Sequence, residues 1–321
     1  MTYTSGGLIQ ATDYNGFAST NANANVNDVW STGSSDKGWG QTALATVSAT
    51  NTVTATQWAS LVNTIASMGS HTGTSITARS APTTGQTIGI LSALNTDLTN
   101  ITTNRLNAVA QGSQYTAWTG TNSKTATTSG SPWTITFTNT VTFASAAAAR
   151  YFFNAGGSIK LDVSKTATGQ TGDPEWNDLA NTLCGDIYFT AGTATQNIAG
   201  TNYTGTTKIG GTGVPNTLAT TTGFYDLTPG AAATIIYKQF ADTAPYTSNF
   251  IQHSVALNAS STVLTFTTLW SASDGDPISG GTAASGATPG TAPCTICTYF
   301  PPSTTYLNNV WGTPTVAATT A

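Results

Sequence analysis

Residues 133–164 read WTITFTNTVTFASAAAARYFFNAGGSIKLDVS, and the fold of the chain turns on how this stretch is read. Trp133, Ile135 and Phe137 alternate with threonines, the period of two expected of a strand with one buried and one wet face. Val141 and Phe143 keep the odd phase, so the alternation survives for eleven residues. Ser145 then stands before four alanines and Arg150-Tyr151-Phe152-Phe153, which predicts a short helix with a serine cap. Gly156 and Gly157 supply the left-handed exit that such a helix needs. From Ser158 the alternation resumes, with Ile159, Leu161 and Val163 on one face. Strand, short helix, double glycine and strand are expected to form one compact unit.

C-terminal to this unit the chain reads as short strands between Gly, Thr, Asn and Pro clusters. We expect strands at Asp186–Thr190, Gly223–Leu227, Ala233–Phe240, Asn249–Leu257 and Thr262–Trp270, the last with an irregularity near Val263 that predicts a bulge. Asp173-Pro174-Glu175 has the cap and first-turn proline of a short helix, with Trp176, Leu179, Ala180 and Leu183 as its apolar side and Gly185 as its end. Residues 271–293 are expected to form a long loop. This spacing of strands and turns predicts an antiparallel sandwich, jelly-roll-like, over residues 111–321.

Residues 1–110 read as a helical region. Thr12 is a candidate cap for a helix carrying Tyr14, Phe17 and Ala18, though its asparagines weaken the middle. Ser31–Gln41 is a glycine-punctuated loop holding Trp39. Thr54-x-x-Gln57 is a capping-box pattern that opens a helix with Trp58, Leu61, Val62, Ile65 and Met68 at helical spacing, expected to stop at Gly69. In residues 90–108, Leu91, Leu94, Leu98, Ile101 and Arg105 recur every three or four positions, the seam of a coiled coil. One reading is a short oligomerisation helix, trimeric in a fibre; the other is a helix packed inside its own small bundle. The fold class is therefore α+β: a small N-terminal helical region, 1–110, for attachment or oligomerisation, followed by a mainly antiparallel β-sandwich domain.

Only 7% of the 321 residues are charged, against roughly 25% in an average soluble protein. Hydroxyls and amides replace ions, a composition frequent in particle, fibre and extracellular proteins. Nine basic residues, scattered from Lys37 to Lys238, and a net charge of −4 argue against nucleic acid, because phosphate recognition needs a clustered basic face. No run of eighteen apolar residues suggests a membrane span, and MTYTSGGLIQ lacks the basic and apolar parts of a signal peptide. We expect neither a nucleic-acid partner nor a membrane.

Little in the chain points to chemistry. Cys294 and Cys297 form a CxxC, but in an extended segment they face opposite sides, and Cys184, His71 and His253 are far apart in sequence. Small buried hydrophobes are the expected role of these cysteines, and no metal or other cofactor is expected. Asp173, Glu175 and Asp178 lie in the first turns of a helix, where acids suit the positive end of the dipole. Asp274-Gly-Asp276 reads as a turn rather than a calcium loop. His71 lies in a glycine-framed turn, and His253 alternates with Ile251 and Val255 and so is expected on their buried face. Lacking a GxSxG elbow, a phosphate loop or a GxGxxG, the chain has no catalytic residue to name, and no enzyme is expected. Trp39, Trp118, Trp270 and Trp311 lie in or beside polar, glycine-containing stretches, as does Trp30. They are candidates for stacking on glycans, the alternative being that they anchor loops to the core.

The segment Arg150-Tyr151-Phe152-Phe153-Asn154-Ala155-Gly156-Gly157-Ser158-Ile159 resembles one found in structural proteins of tailed-bacteriophage virions, such as tail-fibre and other particle components. The resemblance extends to Asp173-Pro174-Glu175-Trp176, to Tyr299-Phe300-Pro301-Pro302-Ser303-Thr304-Thr305 and to the opening Gly7–Asn15, and so spans most of the chain. It implies a place in a virion assembled in the host cytoplasm, tail-associated as a fibre, baseplate or neck component. The implied partners are further copies of the chain, as a trimer, and other virion proteins. The alternatives are a carbohydrate-binding adhesin that meets a host surface glycan, or a capsid decoration protein.

Overall fold

The computed structural model describes residues 10–20, 24–84, 91–109, 118–123, 132–165, 173–273, 277–278, 282–283 and 293–320. It is an α+β fold. The helices of the N-terminal region are α1 (Ala11–Asn15, continuing as a wider π-helical turn through Gly16–Thr20), α2 (Val26–Trp30), α3 (Ala55–Thr72) and α4 (Leu91–Thr103). α1 starts one residue before Thr12, with Gln10 as its cap and the Asp13 carboxylate accepting from the Gln10 N–H at 2.9 Å. On α3 the capping box forms: the Gln57 N–H donates to Thr54 Oγ1 at 3.3 Å and the Thr54 N–H to Gln57 Oε1 at 2.8 Å. Trp58, Leu61, Ile65 and Met68 are its buried side, worth roughly 1.5–3 kcal/mol each as area removed from water.

α3 does not stop at Gly69. It runs to Thr72, and Gly73, at φ +67°, is the residue that turns left-handed. Gly69 has another task. A Cβ there would stand 3.0 Å from Ile76 and 3.1 Å from the Thr74 carbonyl, so the missing side chain lets the chain double back against the helix. His71 is thereby inside a helix rather than in a turn.

The β-region holds β1 (Trp118–Ser123), β2 (Trp133–Thr142), β3 (Ser158–Ser164), β4 (Asp186–Phe189), β5 (Gln196–Ile198), β6 (Thr201–Tyr203), β7 (Thr207–Ile209), β8 (Thr217–Leu218), β9 (Thr234–Phe240), β10 (Phe250–Leu257), β11 (Val263–Ala272), β12 (Pro277–Ile278), β13 (Thr282–Ala283), β14 (Cys294–Phe300) and β15 (Thr315–Thr320). Helix α5 (Ala146–Asn154) joins β2 to β3, and α6 (Asp173–Asp178) continues as a π-helical Leu179–Cys184 before β4. One sheet has the order β1-β14-β3-β4-β7, the other β15-β2-β11-β10-β9-β8, and β5-β6 and β12-β13 are two-stranded ribbons. Every pairing is antiparallel. The jelly-roll-like character lies in the crossings between sheets, β1 to β2 to β3 and β11 to β14 to β15, whereas β8 to β11 is a plain meander.

β2 keeps unbroken register with β11 on one side and β15 on the other, and its odd residues face the core. Two expectations about strands need correction. β11 carries no bulge: Leu264, Phe266, Thr268 and Trp270 all face inward, and the apparent irregularity arose because Thr268 fills a core position while Val263 and Leu269 face outward. The slip lies in β9 instead, where His253 pairs with Tyr237 and Ser254 with Ile235, leaving Ile236 and Tyr237 buried side by side. Residues 223–227 form no strand but a 3₁₀ turn, Phe224–Asp226, with the Asp226 carboxylate accepting from the Gly223 N–H at 2.8 Å.

A single apolar core runs through both regions, from Ala11 through Trp58 and Leu98 to Phe152, Trp270 and Trp311. The helical region and the sandwich share it across the boundary near residue 110. Leu94, Leu98 and Ile101 belong to it and are buried, so the apolar seam of α4 faces its own chain, the bundle alternative. This corrects its assignment as an oligomer interface.

Candidate functional site

The segment 150–157 is a joint between the two regions. Ser145 Oγ accepts from the Ala148 N–H at 3.0 Å and fixes where α5 begins. Phe152 and Phe153 point into the sandwich, where Phe152 meets Phe143 and Tyr299, and Phe153 stacks on Phe224 with 4.7 Å between centroids. The opposite side of α5 holds the loop 31–41. Asn154 Nδ2 donates to the carbonyls of Lys37 (2.9 Å), Gly38 (3.0 Å) and Ser35 (3.3 Å), and its Oδ1 accepts from Tyr225 at 2.6 Å. Arg150 donates to the carbonyls of Ser35, Thr32 and Lys37. Gly40 is required by close approach: it sits at φ +73°, and a Cβ would stand 2.5 Å from the Tyr151 ring.

From the helical side, the Trp39 indole donates to the carbonyls of Asn154 (2.9 Å) and Arg105 (3.1 Å) and packs on His71 at 4.9 Å. His71 Nε2 lies 2.9 Å from the Ala155 carbonyl, which can only accept, so Nε2 carries the proton. Burial lowers the His71 pKa to about 4, keeping the ring neutral. Arg105 pairs with Asp36 and caps the last turn through the Thr102 carbonyl. Burial alone would raise the Asp36 pKa; the hydrogen bonds from Thr193 and Arg105, with the Arg105 charge, hold it below the usual range. The double glycine divides its labour. Gly156 is the left-handed residue, at φ +94°, whereas Gly157 leaves room for the Phe152 carbonyl, 2.6 Å from where a Cβ would be.

The other proposed residues fall as follows. Trp39, Trp270 and Trp311 are 1%, 0% and 2% exposed. A ring with no free face cannot stack on a sugar, so these three are loop and strand anchors and not glycan contacts. Leu91 opens α4 and Trp118 opens β1, but their side chains lie outside the described set. Arg105, assigned to the oligomer seam, is spent on Asp36 within its own chain. Asp274 and Asp276 lie outside the described residues. His253 shares the buried face of Ile251 and Val255, bonds Thr268 through Nδ1 at 2.9 Å, and is lowered by burial to about 3. The three cysteines are free; burial pushes the Cys184 and Cys297 thiols up to about 12, so neither is a thiolate at neutral pH.

A second polar cluster lies on α6. Trp176 faces inward, between Trp133 (5.0 Å) and Trp270 (5.6 Å, near-parallel). Asn177 and Asn181 hold the end of β3 through the Lys165 carbonyl. Glu175 and Asp178 turn instead toward Asp242, from the turn between β9 and β10, and one carboxylate oxygen from each lies within 4.8 Å of the others. Burial first, then the Asp178 and Asp242 charges, raise the Glu175 pKa, against the lowering effect of Thr243 hydrogen bonds. Acids at a helix start were expected from sequence; Asp242 joining them was not, because it belongs to a different turn. A groove of about 470 Å³ lies beside α3, lined by Val62, Ser70, Thr74, Ile76 and Arg79; there Arg79 is paired with the buried Asp97.

No protein-family model, curated protein or solved structure matches this chain.

Proposed function

We propose that this chain is a structural component of a tailed-phage particle, tail-associated as a fibre, baseplate or neck protein, working through protein–protein contacts. What supports the reading is the place held by Arg150–Ile159, the segment that carries the resemblance to virion proteins. It is the joint described above: its aromatics fill the sandwich core, its Arg150 and Asn154 hold the loop 31–41, and its glycines allow the close approaches. Residues that resemble a family for their part in holding a shape fit a mechanical role. The charge-poor composition, 7% of residues, supports the same role, since a surface of hydroxyls and amides is little affected by salt screening.

Contacts with further copies or with other virion proteins use surface other than the α4 seam, because Leu94, Leu98 and Ile101 are buried. The test is density mapping with mass spectrometry of purified particles from the phage that encodes the chain. The expected result is a fixed copy number at one symmetry location on the tail. Absence from intact particles overturns the proposal, and a location on the capsid lattice replaces it with a decoration role.

A further inference from the structure

We propose that Glu175, Asp178 and Asp242 together bind a divalent cation of the calcium type. Two observations carry this independently of the structural role proposed above. The first is convergence: two acids of α6 and one from the β9–β10 turn place an oxygen each within 4.8 Å of one another. The second is an orphaned atom. Glu175 is only 8% exposed, and among the described residues its Oε1 has no hydrogen-bond partner although Thr243 bonds to the carboxylate. A buried carboxylate oxygen without a donor costs on the order of 1–3 kcal/mol or more, and here its nearest charges are of its own sign. A cation would partner Glu175 Oε1 and at the same time offset the like charges of Asp178 and Asp242, the latter already accepting from Thr243 Oγ1 at 3.2 Å.

The donor set selects the ion. Three carboxylates with no nitrogen or sulfur ligand among them favour a hard cation over zinc. Two oxygens on one ion are at most two bond lengths apart, roughly 5 Å for Ca²⁺ and roughly 4.2 Å for Mg²⁺. A spread of up to 4.8 Å suits the longer bonds of Ca²⁺ better than the shorter ones of Mg²⁺, with a small inward shift of the exposed Asp242 closing any remainder. Asp242 is exposed and Asp178 partly so, which leaves a side open for the waters that complete a coordination of six to eight. The ion would tie the β9–β10 turn to α6.

The test is calorimetric titration of the whole chain, freed of metal with EGTA, with CaCl₂ and separately with MgCl₂, alongside thermal unfolding. One Ca²⁺ per chain is expected, with an affinity in the range of about 10⁻³ M or tighter and weaker Mg²⁺ binding, and a Tm that rises with CaCl₂. Asp242→Asn, at an exposed position, is expected to weaken Ca²⁺ about tenfold or more, since affinity follows ligand charge. Asp178→Asn is the second variant should the first fold poorly. Glu175→Gln is expected to keep its Tm in EGTA but to lose the rise in CaCl₂, a combination that a purely structural glutamate does not give. An absence of Ca²⁺ heat up to about 10 mM, or affinities unchanged in the variants, would sink the proposal.

Discussion

The joint at α5 and the carboxylate cluster at α6 are both polar arrangements where separate elements meet, and they are built on opposite principles. At the joint most inward polar groups find a complement, although among the described residues His71 Nδ1 and Oε1 of Gln196, whose amide donates to the Gly156 carbonyl, have none. One Asn154 amide serves three carbonyls and takes the Tyr225 hydroxyl, Trp39 serves two carbonyls, and Arg105 neutralises Asp36. At α6 three acids converge and Glu175 Oε1 stays unmatched among the described residues. A satisfied network rigidifies its surroundings, whereas an unsatisfied one raises free energy until something completes it. The difference is one of charge: the joint pairs its ions and leaves only neutral atoms unmatched, whereas the α6 cluster gathers three acids around an unmatched carboxylate oxygen.

The largest expected effect lies at the joint. Trp39→Ala removes a fully buried indole, two hydrogen bonds and the face of His71, and is expected to cost about 3–5 kcal/mol. The urea midpoint measures it, and a loss below about 1 kcal/mol would mean that the two regions do not depend on this contact.

Next comes acid. His71 and His253 are neutral and buried, with pKa values of about 4 and about 3. As pH falls through 6.5 the unfolded chain takes up protons that the folded chain refuses, so stability declines from there down to the folded values. For His71 the decline is on the order of 3 kcal/mol. Urea midpoints between pH 7 and 4 should therefore fall, and fall less steeply in His71→Gln.

Gly156→Ala is expected to cost on the order of 1–3 kcal/mol, because φ of +94° is strained for any Cβ and the new methyl would meet the Ala108 backbone nitrogen at 2.7 Å. The smallest effect has the opposite sign. In EGTA, Asp242→Asn should leave stability unchanged or raise it by less than about 1 kcal/mol, as one of three like charges disappears. A marked loss would place Asp242 with the satisfied networks and erase the contrast.

The parts of the molecule legible in its sequence are those decided by neighbours in sequence. Alternation over 133–143 and the Ser145 cap located β2 and α5 because each is a local pattern with one structural answer. The seam of α4 was not decidable, since Leu94, Leu98 and Ile101 have the same spacing whether they meet a second copy or their own core. Trp39, Trp270 and Trp311 left two readings open from their polar, glycine-containing surroundings, and burial decides for anchoring to the core: Trp270 takes an inward position of β11, and Trp39 is held by carbonyls of distant segments. Phe224 and Leu227 looked like part of a strand, although a three-residue spacing suits a 3₁₀ turn equally well. Asp242 carried no signal at all, because its proximity to Glu175 exists only once β9 and β10 have paired beside α6.

The column Trp133–Trp176–Trp270 gives this protein an optical signature of its own. Indoles 5.0 and 5.6 Å apart share their excited states, so the folded chain should display a strong near-ultraviolet circular dichroism band that vanishes when the stack parts. Because Trp176 adjoins Glu175 in the chain, the same band offers a label-free view of whatever the α6 acids hold.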